Sequence, residues 1–246
     1  MLIGFVGSGS MAAAIARGWA GNGDSMLFSD AGSGRARELA EELGGEVASN
    51  EEIAARADIV VVAVKPAKLD DVAPQLRAAK EVVSILAAVS VTRLQEALPG
   101  ATRVLRVMPN VGVEVRKGVL CIAGEASAET RAKLELLGHV VELPDADFDE
   151  ATAIMSCAPA YLALAVEALA DAGAAAGLDA ELARELVVET TGGTAELLRI
   201  RHPADVRKAV ASPGGSTEAG LDALDREGAR RAFEAAVEAS LERMRG

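Results

Sequence analysis

Apolar and polar positions alternate in blocks through about the first 145 residues. Short apolar runs stand at 2–6, 26–28, 58–64, 82–86, 103–108, 119–123 and 140–143. The run at 58–64 reads DIVVVAV, apolar and β-branched, which suits a strand buried on both faces. Between the runs lie helix-compatible segments at 10–21, 34–43, 92–98 and 127–137. Strands alternating with helices predict a parallel sheet with helices on both faces.

Near Pro144 the pattern changes, and from Asp147 onward no segment reads as a strand. Residues 149–176 are Ala-rich with helical period, and Pro159 should kink that helix by removing a backbone donor. Gly177 reads as a stop and Asp179 as the cap of a helix reaching about residue 200. His202-Pro203 breaks it, and two further helices follow at 216–226 and 229–244. The expected division is therefore 1–145 and 146–246, with no flexible linker. A helical half so rich in Ala and Leu is expected to bury part of its surface on a second subunit.

The chain has 246 residues, enough for a substantial core. Half of them are hydrophobic, but only Phe5, Trp19, Phe28, Phe148, Tyr161 and Phe233 are aromatic, so Ala, Val and Leu must fill that core. The formal net charge of -12 argues against nucleic acid as a partner. Two histidines and the distant pair Cys121 and Cys157 offer no metal-ligand spacing, and both thiols are expected to be reduced. The apolar start runs straight into glycines without a basic leader. No stretch supplies the roughly 20 uninterrupted apolar residues of a membrane helix. A cytoplasmic protein with no membrane partner is the expectation.

Two loops carry candidate chemistry. Gly7-Ser8-Gly9-Ser10-Met11-Ala12 fits G-x-G-x-x-G/A between a predicted strand and a predicted helix. Gly7 permits a tight turn, Gly9 lets a pyrophosphate approach the backbone, and Ala12 allows close helix–strand packing. The alternative is a plain glycine turn. About 20 residues on, Ser29 and Asp30 should stand beside the adenosine ribose. An acid there favours the free 2′-hydroxyl of NAD, whereas Ser29, Ser33 and Arg35 could hold the 2′-phosphate of NADP, so the choice stays open. The second loop, Ser212-Pro213-Gly214-Gly215-Ser216-Thr217, places two glycines before a helix. It exposes N–H groups at the positive helix end, a site for an anion, though an ordinary capped loop looks the same.

These blocks, in order, resemble the pyrroline-5-carboxylate reductase family: IGFVGSGSM, AVKP at 63–66, VVSILAAV at 82–89, RVMPN at 106–110, APAY at 158–161, and above all HPADVRKAVASPGGSTEAGLDAL at 202–224. The resemblance covers essentially the whole chain. It implies an N-terminal Rossmann domain, a doubly wound parallel sheet, followed by an all-helical dimerisation domain, with dimers assembling further into rings. It implies NAD(P)H as hydride donor and a cyclic imino acid as acceptor. By position, Gly7, Ser8, Gly9, Ser10, Met11, Ser29, Asn50, Val64, Lys65, Pro66 and Ala87 would line the cofactor, with Asp30 beside the ribose. Ser212, Gly214, Gly215, Ser216 and Thr217 would hold the substrate. Thr217 is the candidate catalytic group, hydrogen-bonding the imine nitrogen or relaying a proton to it. His139, His202 and Tyr161 read as structural, and Lys65 as a group orienting ribose or loop.

The chain departs from the family's usual residues at Ser10 (Asn), Leu86-Ala87-Ala88 (Ala-Ala-Gly), Val111-Gly112 (Thr-Pro), Ser156-Cys157-Ala158 (a Gly-Ser run) and Lys208 (Asp). Other readings are an imino-acid reductase of different ring specificity, a β-hydroxyacid dehydrogenase, a non-catalytic dinucleotide-binding regulator and a deazaflavin-dependent reductase. The second wants a Lys early in the helical half, and none stands between Lys133 and Lys208. A deazaflavin-dependent reductase would share the glycine loop but lack the SPGG segment.

Overall fold

The computed structural model describes residues 1–245, which divide between Ser156 and Cys157 into two compact units. The first is an α/β unit. Its strands are β1 (Leu2–Val6), β2 (Ser25–Ser29), β3 (Glu46–Val47), β4 (Ile59–Val62), β5 (Glu81–Ser84), β6 (Arg103–Pro109), β7 (Gly118–Gly124) and β8 (Gly138–Glu142). They form one sheet in the order β3-β2-β1-β4-β5-β6-β7-β8. Its helices are α1 (Ser10–Trp19), α2 (Arg35–Leu43), α3 (Asn50–Arg56), α4 (Leu69–Val72), α5 (Val91–Ala97), α6 (Ala128–Glu135) and α7 (Phe148–Met155).

The four residues of β4 are all buried, and their alternation explains the two-sided core. Ile59 and Val61 face Phe5, Ile15, Trp19 and Phe28. Val60 and Val62 face Ile53, Leu69, Leu76 and Leu94. Phe5 stacks on Phe28 with ring centres 5.2 Å apart, and the Trp19 indole N–H donates to the Lys133 carbonyl at 2.7 Å. Three of the six aromatic residues, Phe5, Trp19 and Phe28, thus share one face of the sheet.

One pair departs from the parallel arrangement: β6 and β7 are antiparallel, with Val107 opposite Ile122. A single 3-10 turn, Val111–Val115, joins them where a parallel pair would need a long crossover. Arg116, at φ 57°, closes this turn. Its guanidinium donates to the Gly18 and Ala20 carbonyls, both at 2.7 Å, capping the end of α1.

The composition changes near Pro144, yet compact packing of the first unit continues to Ser156. Phe148 is fully buried and lies under the Arg106 guanidinium, 4.2 Å from the ring centre. Arg106 also donates to the Asp145 carboxylate at 2.8 Å, and Ser156 Oγ donates to the Pro109 carbonyl at 2.9 Å. The helix expected over 149–176 is two helices, α7 and α8 (Ala158–Ala175). Pro159 sits in the first turn of α8, where its missing N–H breaks no helical bond, so it starts a helix and does not kink one.

The second unit is helical: α8, α9 (Ala180–Leu198), α10 (Pro203–Val210), α11 (Ser216–Arg226) and α12 (Ala229–Arg245). The Asp179 carboxylate accepts from the Glu181 and Leu182 N–H groups and caps α9, while His202 Nδ1 accepts from the Ala204 N–H and caps α10. The Tyr161 hydroxyl lies 2.5 Å from Ser240 Oγ, tying α8 to α12. Among the described residues of this unit only Ala170 and Ala183 are buried hydrophobics, whereas Leu162, Leu164, Leu169 and Leu186 are more than half exposed. The helical stretch Asp145–Ala175 is apolar and long enough to span a bilayer, by length and composition alone. Asp145, Asp147, Asp149, Glu150, Glu167 and Asp171 lie within it.

Candidate functional site

The glycine loop stands where β1 ends, beside β2 and β4. Gly7 has φ +97°, and its N–H donates to the Ser29 carbonyl at 3.1 Å. A Cβ at Gly7 would lie 2.7 Å from the Ala63 carbonyl oxygen, so the tight turn and the close approach to the chain after β4 both require glycine. The buried Ser8 hydroxyl donates to the same Ser29 carbonyl at 2.9 Å, locking the loop to β2. Gly9 is the N-cap of α1, with ordinary backbone angles (φ -75°, ψ 178°) and no side-chain cap. A Cβ there would meet nothing within 4 Å. The loop therefore presents open space in front of an uncapped, positive helix end, the arrangement that a pyrophosphate fits. Ser10 opens the helix, exposed, and Met11 is half-buried.

Around this loop lie the other residues expected to line a cofactor. The Ser29 hydroxyl donates to Asn50 Oδ1 at 2.6 Å, and Asn50 Nδ2 donates to Gln75 Oε1 at 2.7 Å. Gln75 carries no cofactor expectation from the sequence, because nothing in its neighbourhood marks it as facing Asn50. Val64 is half-buried, while Lys65 and Pro66 are exposed at the start of the 3-10 turn Pro66–Lys68. Ala87 is exposed after β5, followed by Ala88 at φ 56°, a left-handed residue that is not glycine. Asp30 does not stand free. Its carboxylate accepts from the Gly32 N–H at 2.8 Å, the Ser33 hydroxyl at 2.8 Å and the Ala36 N–H at 2.9 Å. The Ala36 bond does most to hold its pKa below the ordinary carboxylate value, against a smaller opposing effect of burial.

The second loop lies wholly in the helical unit. The Gly215 N–H donates to the Ser212 carbonyl at 2.9 Å, and Gly214 has φ +71°. Gly215 is the N-cap of α11, again without a side-chain cap. Ser216 and Thr217 are exposed in its first turn. The Gly214 N–H is already bonded to a carboxylate, that of Glu218, at 2.7 Å. The loop thus accepts an anionic group in the isolated chain.

A dinucleotide-binding Rossmann sheet followed by a helical unit with its own uncapped helix end defines a two-part nicotinamide-dependent oxidoreductase. Two family models match the chain: "NADP oxidoreductase coenzyme F420-dependent" over residues 2–88 and "Pyrroline-5-carboxylate reductase dimerisation" over residues 145–246. Pyrroline-5-carboxylate reductase of Thermus thermophilus is 36% identical over 99% of this chain and 97% of that protein. The enzyme of Synechocystis is 38% identical over 79% of this chain and 76% of that protein. In structure, the Streptococcus pyogenes 1-pyrroline-5-carboxylate reductase matches with a TM-score of 0.86 at 29% identity, covering 99% of this chain and 98% of that one. The Plasmodium falciparum enzyme, solved with NADP bound, matches at 0.83 with 28% identity, covering 99% and 97%. The chain belongs to the pyrroline-5-carboxylate reductase family.

Proposed function

We propose that this chain reduces 1-pyrroline-5-carboxylate to L-proline with NAD(P)H, residues 1–145 holding the cofactor and 146–246 the substrate and the dimer contact. The observation that carries the reading is the pairing, in one chain of this family, of two glycine-led helix ends without side-chain caps. One, at Gly9, has open space for a pyrophosphate; the other, at Gly214 and Gly215, already accepts a carboxylate.

The bound nicotinamide supplies the hydride for the ring carbon of the C=N bond, and the ring nitrogen gains a proton. Gly7, Ser8, Gly9, Ser10 and Met11 hold the phosphates; Ser29, Asn50, Val64, Lys65, Pro66 and Ala87 form the walls around the rest of the dinucleotide. Ser212, Gly214, Gly215 and Ser216 form the loop that holds the substrate carboxylate: the Gly215 N–H closes its turn on the Ser212 carbonyl, and the Gly214 N–H is the donor that a carboxylate already takes. Thr217 hydrogen-bonds the ring nitrogen. An alcohol is too weak an acid to be an independent proton source, so the hydroxyl orients the nitrogen and passes on a proton from solvent. Neither His139 nor His202 is needed: His202 Nδ1 is spent on capping α10.

The exposed leucines of α8 and α9 belong in a homodimer, and rings of such dimers extend the same logic. That burial, not a bilayer, accounts for the apolarity of α8. The two free thiols, Cys121 and Cys157, suit a reducing cytoplasm. The decisive assay is loss of nicotinamide absorbance on adding the pyrroline substrate to purified protein and reduced cofactor. Dinucleotide binding without turnover would mark a non-catalytic relative, and faster turnover of a six-membered imino acid a different ring specificity. Thr217→Val should lower kcat/KM about 10- to 100-fold, the worth of a hydrogen bond to a group gaining charge. Thr217→Ser should retain most of the activity. If both match wild type per folded site, Thr217 has no part in the chemistry.

A further inference from the structure

Resting on that reductase reading, we propose that Arg106 and Asp145 are positioning residues: together they hold the loop after β5, residues 85–90, in the form that sets the nicotinamide against the imine. The order of the sheet puts this loop on the nicotinamide side. The glycine turn follows β1, and the turn with Ser29 and Asp30 follows β2. A dinucleotide lying across the strand ends therefore carries its other half toward β4 and β5. The loop after β5 has two anchored ends and an exposed middle. At its start the Ile85 N–H donates to the Val62 carbonyl at 3.0 Å, the Leu86 N–H donates to the Ser84 hydroxyl at 3.4 Å, and the Leu86 side chain is buried. At its end the N–H of Val91, the first residue of α5, donates to the Asp145 carboxylate at 3.1 Å. Between these anchors Ala87 and Ala88 are exposed, with Ala88 at φ 56°. A residue with a Cβ disfavours that conformation, so the surroundings must impose it.

The support comes from β6, within the same unit. Arg106 stands opposite Ser84 in the sheet and is 4% exposed. Its Nη1 donates to Asp145 Oδ1 at 2.8 Å, and Asp145 Oδ2 is the atom that takes the Val91 N–H. The two oxygens of one carboxylate thus connect a buried cation to the end of the loop. Stability is a poor reason for this arrangement. Apolar side chains of similar size often match or better a buried ion pair, and a buried donor left without a partner is costly. Arg106 Nε is such a donor: it is buried, and no acceptor among the described residues reaches it. The Phe148 ring, 4.2 Å from the guanidinium, favours the cation but gives Nε no acceptor in the plane of the group. What the pair supplies is direction. The charge-assisted bond orients the Asp145 carboxylate, and that carboxylate fixes where α5 begins and how far the exposed alanines can move. Both residues act through the loop, whose Ala87 is the proposed cofactor wall.

The test is the hydride step itself, followed by stopped-flow absorbance in a single turnover of the full-length protein, with reduced cofactor and pyrroline saturating and rates taken per folded site. Arg106→Met keeps the length of the side chain and removes its charge; Asp145→Asn keeps the shape and weakens the pair. In both, the cofactor dissociation constant should stay within about threefold of wild type while hydride transfer slows at least about 10-fold, the scale of a small misplacement of reacting groups. Arg106→Lys, which restores a charge, should recover part of the rate. Cofactor deuterated at the transferred position must slow the variants further, or the loss lies outside the hydride step and the proposal fails. Amide hydrogen exchange over residues 85–91 should rise in both variants. Wild-type hydride rates in Arg106→Met and Asp145→Asn overturn the proposal whatever happens to their melting temperatures. If Arg106→Met does not fold, Asp145→Asn and Arg106→Lys decide. If wild type itself does not reduce pyrroline, the reductase reading falls, and the exchange measurement decides whether the pair holds the loop: unchanged exchange in the variants overturns it.

Discussion

Gly7 and Gly9 belong to one motif but should fail in opposite ways when substituted. At Gly9 the backbone is one any residue adopts, and an added Cβ meets nothing within 4 Å. Gly9→Val should therefore fold, at a cost of no more than about 1 kcal/mol for a poorer N-cap residue. Its branched side chain, however, fills the space in front of the α1 N–H groups, where the proposed function puts the pyrophosphate. Losing the two or three charge-assisted bonds made there, each worth about 1.5–3 kcal/mol, should weaken dinucleotide binding by at least about 100-fold.

Gly7→Ala, although smaller, should be the more damaging change to the fold. It forces a side chain onto φ +97° and drives its Cβ to 2.7 Å from the Ala63 carbonyl. The left-handed backbone alone costs about 1–2 kcal/mol, and the clash adds to it. A total of roughly 2 kcal/mol or more corresponds to a Tm lowered by about 4–8 °C for a protein of this size. Thermal melting and cofactor titration on both variants separate the effects. If Gly9→Val binds cofactor like wild type, the loop is not the pyrophosphate site. If Gly7→Ala melts like wild type, the contact with Ala63 has been misjudged.

Ala88 at φ 56° is strained, so Ala88→Gly should be neutral or stabilising by up to about 1 kcal/mol in chemical denaturation; a loss comparable to that of Ala→Gly in a helix would contradict this. Asp30→Ala should cost about 1 kcal/mol by removing the cap on α2. Because the folded-state pKa of Asp30 is lowered, this contribution is fully present above about pH 4 and fades as pH falls through the folded value, so wild type and variant should converge in acid. A gap that widens on acidification would refute the assignment. Glu218 occupies the Gly214 N–H that the substrate carboxylate should use, so Glu218→Gln should lower KM for the imino acid about three- to tenfold. A raised KM would show that Glu218 helps shape the loop and does not compete for it.

The strands and the glycine loop were legible for a common reason. Buried parallel strands are continuous apolar runs, and the turn after β1 needs residue types that few other turns need. Strand direction is not written in such runs. The apolar run that became β7 has nothing to distinguish it from a parallel neighbour, and only the short Val111–Val115 connection makes it antiparallel. The pattern also left residues 44–57 without an element. Yet Ser49 and Glu52 form a capping box that starts α3, a signal readable as Ser-x-x-Glu before an apolar residue. The break between α7 and α8 was hidden because Pro159 at a helix start and Pro159 in a helix interior look alike in sequence.

The candidate site divides along the same line. That Asp30 stands at the end of β2 follows from spacing; what its carboxylate does depends on where the next six residues turn. Two glycines in left-handed conformations fold the chain back so that Gly32, Ser33 and Ala36 reach the carboxylate. Gly can adopt those angles without being required to, so the sequence permits both a ribose-facing and a cap-forming Asp30. The decision is cooperative: the Ala36 N–H is free to reach the carboxylate only because α2 begins at Arg35, which leaves the first-turn donors without partners inside the helix. A single acidic residue after β2 is therefore a poor guide to cofactor choice on its own. The informative quantity is how many donors the local turn already aims at it.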